Sequence, residues 1–261
     1  MRLFLFYLLG LIHINEAQLL RYSRHIFLDE IDVDGQEKLQ HATVLVVGCG
    51  GLGNACIPIL AGAGIGHLIL CDHDLIELSN LQRQFAFTPQ DVQQSKVYTL
   101  IHYLQQRHPD LTFTGIQSKM TAEILNQYVP LCDVIVDCTD NSVTRHLINQ
   151  AAVNHKVPLV SASVLQWSGQ LMVFDRRQAH SPCYACLFSE PHQEDMSCSQ
   201  NGVFSALVHQ IGAAQAAEVM KILIGFGESS IGKMLHFEGL NFSTYALDLE
   251  KNPDCPICAD G

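Results

Sequence analysis

Four cysteines stand in two C-x-x-C pairs, Cys183 with Cys186 and Cys255 with Cys258. Four thiolates with no open position suit a closed tetrahedral zinc site, structural rather than catalytic, that would clamp the C-terminus to the body of the domain. The competing readings of the same residues are disulfides or a coincidence of spacing. A different chemistry belongs to the stretch Val44 to Gly53, VLVVGCGGLG. Gly48, Gly50 and Gly53 fit G-x-G-x-x-G, and Gly51 adds another glycine. Between a buried strand and a helix, such a turn lets backbone N–H groups approach a nucleotide phosphate closely. Asp72 closes the next apolar run about 20 residues further on, where a carboxylate can hold ribose hydroxyls. Asn80, Arg83 and Lys96 follow. Cations there would neutralise the β- and γ-phosphates of a triphosphate and stabilise departing pyrophosphate, a need that a dehydrogenase does not have. Asp140, at the end of a further apolar run, would hold Mg²⁺ together with phosphate oxygens. The plainer alternative makes Arg83 and Lys96 surface charges and Asp140 the cap of a helix beginning at Ser142.

Positioning these groups requires an α/β domain: a Rossmann-like nucleotide-binding sheet flanked by helices, with the zinc clamp at the C-terminus. The apolar runs Val44 to Val47, His67 to Cys71 and Asp133 to Cys138 read as buried strands, and Leu111 to Gln117 alternates as another. Further strands are expected at Leu159 to Ser163, Gln170 to Phe174, Lys233 to Phe237 and Thr244 to Leu249. Helices are expected at Glu16 to Leu28, Asn54 to Ala63, Gln94 to Gln106, Thr121 to Tyr128 and Ser142 to His155. Asp34-Gly35 reads as a turn ahead of a short helix at Gln36 to Gln40. Phe204 to Ile224 is almost continuously apolar, but His209, Gln210, Gln215, Glu218 and Lys221 favour a buried or subunit-interface helix over a membrane span. The long connection from Asp72 to Pro89 carries polar and basic groups, as functional loops do.

Length and charge narrow the partners. A chain of 261 residues buries a substantial core as one domain. A net charge of −11 argues against a nucleic-acid partner, which needs basic surface. Of ten cysteines, Cys49, Cys56, Cys71, Cys132 and Cys138 lie in apolar runs or the glycine turn and read as small buried hydrophobes. Residues 1–14 are apolar, yet too short for a bilayer-spanning helix and without a small-x-small cleavage site. They are expected to be an extension outside the fold, with the domain at 15–261, no stable membrane anchor and a cytoplasmic setting.

The strings VGCGGLG, CDHDLIELSNLQRQ, QSKV and DCTDN, with the two C-x-x-C pairs, resemble the MoeB/ThiF/HesA adenylyltransferases, bacterial relatives of ubiquitin-activating enzymes. The similarity runs from about Ala17 to Cys258, nearly the whole chain. It implies that ATP is used to adenylate the C-terminal glycine of a ubiquitin-like sulfur carrier ending in Gly-Gly, with release of pyrophosphate. By motif, Gly51, Asp72, Ser79, Asn80, Leu81, Gln82 and Arg83 would contact the nucleotide. Lys96 would contact phosphate, Asp140 would hold magnesium, and Asn141 would lie beside it. RYSRH matches the family's N-terminal arginine motif, so Arg24 would reach the active site of the partner subunit in a homodimer. Cys198, in EDMSCSQNG, matches a cysteine that becomes linked to the carrier in the thiazole branch. No sulfurtransferase-like domain follows Cys258, so sulfur is expected from a separate donor protein. The carrier of molybdopterin synthase and that of thiazole formation in thiamine biosynthesis are both compatible, SASVLQWSGQLMVF and CPIC being more like the thiazole branch. The competing functions are a tRNA-modifying dehydratase of the same superfamily, a nicotinamide-dependent oxidoreductase and a catalytically silent binding module.

Overall fold

A computed structural model of the chain describes residues 14–189 and 202–259. One eight-stranded sheet forms its centre, in the order β3-β2-β1-β4-β5-β6-β7-β8. Its strands are β1 (Thr43–Val47), β2 (His67–Cys71), β3 (Thr112–Ile116), β4 (Val134–Asp137), β5 (Leu159–Leu165), β6 (Ser168–Phe174), β7 (Lys233–Glu238) and β8 (Ser243–Asp248). The pairs from β3 through β5 are parallel and those from β5 to β8 antiparallel. Parallel pairs need crossovers, and helices supply them. These are α4 (Gly51–Ala63), α5 (Lys96–Gln105), α6 (Ala122–Tyr128) and α7 (Ser142–His155), with α1 (Glu16–Arg21), α2 (Ser23–Ile26) and α3 (Asp32–His41) before the sheet. A short α8 (Tyr184–Leu187) and the long α9 (Ser205–Ile224) complete the α-helices among the described residues.

The near-continuous apolar strands follow from burial on both faces. Val44, Val46, Leu68, Leu70, Val134 and Val136 point to one layer, shared with α4, α5 and α9. Leu45, Val47, Ile69, Cys71 and Ile135 point to the other, with Leu125 of α6 and Ile148 of α7. The α9 helix is apolar on most sides because it lies between α4 and strands β5 and β6. A Cβ on Gly212 would sit 2.5 Å from Ala55 Cβ, so the two helices meet at a distance only glycine permits. No helix among the described residues is long and apolar enough to cross a membrane.

Four expectations need correction. The Asp34-Gly35 turn is absent: α3 runs unbroken from Asp32 to His41. Gly35 is there because a Cβ would come 2.9 Å from Ile224 Cγ2, so packing against the end of α9 overrides the local turn preference. The single helix at 16–28 is two, divided at Tyr22. The Tyr22 ring is buried against Gly64, where a Cβ would meet its Cζ at 2.7 Å. Finally, Ile14, expected outside the fold, is fully buried and clusters with Tyr22, Ile26 and Val33. Residues 1–13 lie outside the described residues. The β5–β6 hairpin is also longer than expected, because Ser163↔Gln170 through Leu165↔Ser168 continue the ladder through polar positions that hide it from a hydrophobicity pattern.

Candidate nucleotide site and metal centre

β1 delivers the chain into the glycine turn at the carboxyl edge of the sheet. Gly48 has φ +99, and a Cβ there would lie 2.7 Å from the Cys138 carbonyl oxygen, so only glycine fits between β1 and β4. At Gly53 a Cβ would fall 2.1 Å from the Gly48 carbonyl oxygen. At Gly51 it would meet Val208 Cγ1 at 2.9 Å and Arg83 Cδ at 3.5 Å. Gly50, the N-cap of α4, has only Gln84 Nε2 near it, at 3.9 Å. No side chain caps α4, which leaves the helix start to an anion.

Asp72 leaves β2 and folds back on this turn. Its Oδ2 accepts the Cys49 N–H at 2.7 Å and its Oδ1 accepts the Asp74 N–H at 2.8 Å. Lys96, the first residue of α5, has a buried stem and donates from Nζ to Asp74 Oδ2 at 2.7 Å. Burial lifts the Asp74 carboxyl, but the hydrogen bond and charge of Lys96, with His73 and Lys119, outweigh it and hold the group below its ordinary range. The connection after Asp74 is tightly built. Glu77 and Asn80 cap one 3₁₀ turn reciprocally, Ser79 Oγ donates to Glu77 Oε2 at 3.1 Å, and Arg83 Nη1 donates to the Ser79 carbonyl at 3.1 Å. Asn54 of α4 then accepts the Ala86 N–H at 2.8 Å, fastening the connection beside the glycine turn. Leu81 is half-buried against the core, and Gln82 is exposed.

At the end of β4, Asp140 is exposed. The cap of α7 is its neighbour Asn141, whose Oδ1 accepts the Thr144 N–H at 2.9 Å, so the capping role proposed for Asp140 falls to Asn141. Asp137, not singled out in the sequence, organises this corner. Its carboxylate accepts both the N–H and the hydroxyl of Thr139 and the Ser161 hydroxyl at 2.7 Å, and lies 3.8 Å from Arg145 Nε. Gln215 of α9 donates to the Asp137 carbonyl at 2.9 Å. The only trace in the sequence is an acid ending an otherwise apolar run, VIVD.

The structure thus gathers Gly48, Gly50, Gly51, Gly53, Asp72, Asn80, Arg83 and Lys96 along one sheet edge, with Asp140 and Asn141 at the end of neighbouring β4. Arg24 is not part of the group. It is exposed on α2, its guanidinium carbon 5.8 Å above the Phe27 ring. Nearby Tyr22 packs at Gly64, the far end of a 13-residue helix, so about 20 Å of α4 separates that segment from the glycine turn. Cys198 lies outside the described residues.

At the other pole, the four paired cysteines converge. Their Sγ atoms lie 3.7 Å apart for Cys183–Cys255, 4.0 Å for Cys183–Cys186 and 3.4 Å for Cys186–Cys258. A disulfide requires about 2.05 Å. Zn–S bonds of about 2.3 Å set the edge of a tetrahedron near 3.8 Å, and the observed separations bracket that value. Burial pushes the Cys183 thiol up to about 11. Burial acts likewise on Cys255, but the N–H groups of Ile257 and Cys258 and the neighbouring thiols overcome it and favour its thiolate. Asn149 Nδ2 approaches Cys183 Sγ at 3.6 Å while its Oδ1 accepts the Tyr184 N–H. Arg176 joins the Ser181 and Cys258 carbonyls. These residues fit zinc.

A mixed sheet whose parallel half runs into a glycine turn and an uncapped helix start has the architecture of a nucleotide-binding α/β protein, here with a four-cysteine cluster. The sequence profile of the ThiF family matches residues 22–257, and the chain belongs to that family. It is 40% identical over 244 residues to the sulfur carrier protein ThiS adenylyltransferase of Escherichia coli strain K12, covering 94% of this chain and 96% of that one. It is 36% identical over 245 residues to the molybdopterin-synthase adenylyltransferase of Salmonella typhimurium strain LT2, covering 94% and 98%. Among solved structures, Escherichia coli MccB with ATP superposes with a TM-score of 0.80 at 27% identity, over 91% of this chain and 74% of that one.

Proposed function

We propose that this chain is an adenylyltransferase that uses ATP to activate the C-terminal glycine of a ubiquitin-like sulfur carrier, releasing pyrophosphate, in molybdenum-cofactor or thiamine biosynthesis. The observation that carries this reading is the convergence of Lys96, Arg83 and Asp72 on the glycine turn, in a chain alike over nearly its whole length to enzymes named for that activity.

The charge problem explains the residues. A carboxylate must attack the α-phosphorus of an equally anionic ATP, so the site must screen repulsion and stabilise the leaving pyrophosphate. The nucleophile is already ionised and needs no general base. The N–H groups at the start of α4 receive phosphate oxygens. Asp72, fixed by the Cys49 N–H, keeps an oxygen edge toward the ribose. Lys96 exchanges its partner Asp74 for phosphate, and Arg83, lying against Gly51, covers the departing end of the triphosphate. Asp140, free of a capping duty, would hold Mg²⁺, which neutralises phosphate charge when bound. The four-cysteine centre would hold zinc and has no open position for chemistry.

Arg24 is assigned to a second copy of the chain. Its segment packs at the opposite end of α4 from the turn, so it can serve a site only by reaching across a homodimer. Sulfur would come as the outer sulfur of a persulfide on a separate donor protein; the Cys198 thiolate would attack it, forming its own persulfide as the donor cysteine leaves as a thiolate. ATP use and reduced, metal-binding thiols suit a cytoplasmic setting.

Carrier-dependent ATP–pyrophosphate exchange is the test, run with Gly-Gly-ending carriers of both pathways. Exchange with one carrier assigns the pathway. No exchange with either, alongside binding of a nicotinamide dinucleotide, would replace this reading with the oxidoreductase one.

A further inference from the structure

We propose that His209 is a positioning residue for Arg83, fixing the loop that presents this guanidinium to the triphosphate; the inference rests on the adenylyltransferase reading. His209 stands near the start of α9, beside Val208. Val208 Cγ1 is the atom that a Cβ on Gly51 would strike at 2.9 Å, so this part of α9 touches the phosphate turn itself. His209 Nε2 lies 3.2 Å from the Arg83 carbonyl oxygen. A carbonyl offers only lone pairs, so Nε2 carries the proton and donates. Two residues on, the Phe85 ring stacks on the imidazole, with centroids 4.2 Å apart and planes 11° from parallel. One side chain therefore holds the loop at both 83 and 85.

The loop needs that hold. Its start is closed by the Glu77–Asn80 caps and its end by the bond from the Ala86 N–H to Asn54. The Arg83 N–H is spent on the Asn80 carbonyl at 3.0 Å, which curls the chain without fixing it to another element. The bond from His209 fastens Arg83 to a helix whose partners α4, β5 and β6 surround the nucleotide edge. Arg83 Cδ and Cγ then lie 3.5 and 3.6 Å from where a Gly51 Cβ would be, so a shift in the backbone at 83 translates directly into a shift of the guanidinium over the turn. Burial lowers the His209 pKa, and the bond to the Arg83 carbonyl opposes this without cancelling it. The ring is neutral near pH 7, and its action is geometric rather than electrostatic.

Two variants separate the donor from the stack. His209→Phe keeps an aromatic ring against Phe85 and removes the donor. His209→Gln restores an N–H donor without the ring. The readouts are carrier-dependent exchange and the dissociation constant of a non-hydrolysable ATP analogue, each taken alone and in the Arg83→Ala background. Losing one hydrogen bond should weaken analogue binding and raise KM for ATP about three- to tenfold in His209→Phe, with KM for the carrier unchanged and Tm lowered by only about 2–4 °C. His209→Gln should recover most of the loss. In the Arg83→Ala background His209→Phe should add nothing, because the residue acts through Arg83. Wild-type protein without exchange activity would sink the adenylyltransferase reading. Active wild type with unchanged ATP affinity in His209→Phe, or an equal loss with Arg83 already removed, would overturn the role of His209. Should His209→Phe fail to fold, Phe85→Leu, which removes the stack from the exposed side, is expected to raise KM for ATP and to lose that effect in Arg83→Ala.

Discussion

Removing the metal from the four-cysteine centre should cost this protein a large share of its stability. The three Sγ separations, 3.4, 3.7 and 4.0 Å, differ by a few tenths of an ångström from the edge of about 3.8 Å that zinc imposes. Little rearrangement is needed on loading, and binding energy passes into folding energy rather than into strain. With free zinc at about 100 to 1,000 times its dissociation constant, the linkage contributes about 3–4 kcal/mol. In a domain of this size each kcal/mol moves Tm by about 2–4 °C, so full chelation should lower it by roughly 6–16 °C. The assay is thermal unfolding of zinc-loaded protein with and without a strong chelator, with zinc added back, beside elemental analysis for about one zinc per chain. Cys255→Ser should show the same loss and no further response to the chelator. Purified protein without zinc, or a zinc-loaded protein whose Tm ignores complete chelation, would refute the reasoning.

Asp140→Ala should reduce carrier-dependent exchange by about 10²-fold or more, since it removes the carboxylate assigned to Mg²⁺, while Tm is kept because Asn141 caps α7. Normal exchange in that variant would remove Asp140 from the mechanism. Mixing Arg24→Ala with Asp140→Ala subunits should restore part of the activity through mixed dimers carrying one intact site, and exchange that never rises above that of either variant would dissolve the shared-site reading. Gly48→Ala should cost about 1–3 kcal/mol and most ATP binding, because its φ of +99 and the Cys138 carbonyl at 2.7 Å leave no place for a methyl group; denaturant unfolding reads the first and titration the second. Cys198→Ala should leave exchange intact, adenylation needing no thiol, and abolish thiocarboxylate formation with the physiological donor; full sulfur transfer would make Cys198 a bystander.

What could be read in the sequence was what repeats or clusters along it. Strands such as His67–Cys71 are contiguous apolar runs, the glycines of the turn are neighbours, and each C-x-x-C pair is local. Hidden were features decided by a distant partner. Gly35 sits in a dipeptide that favours a turn, yet Ile224, far along the chain, makes it the glycine of a helix contact. Asn54 in α4 is an ordinary polar residue until its bond to the Ala86 N–H is seen, and His209 reads as one polar position in an apolar helix until Arg83 appears beside it. Such pairings leave no period, because neither residue's neighbours record the other's position.

The two centres that were legible separately are joined by an element that was not legible as a link. The N-terminus of α7 is capped by Asn141, next to Asp140 at the nucleotide edge. Eight residues on, about 12 Å along the helix, Asn149 meets Cys183 Sγ and receives the Tyr184 N–H. The four-cysteine cluster therefore steadies the body of the same helix whose first turn follows Asp140, the acid proposed to hold magnesium. In its first turn Arg145 Nε lies 3.8 Å from the Asp137 carboxylate of β4, so α7 cannot slide along the sheet without disturbing that pair at one end or the contacts to Cys183 and Tyr184 at the other. A metal with no open position for chemistry would thus act on the adenylation site by holding still the helix from which its strand-end acid departs.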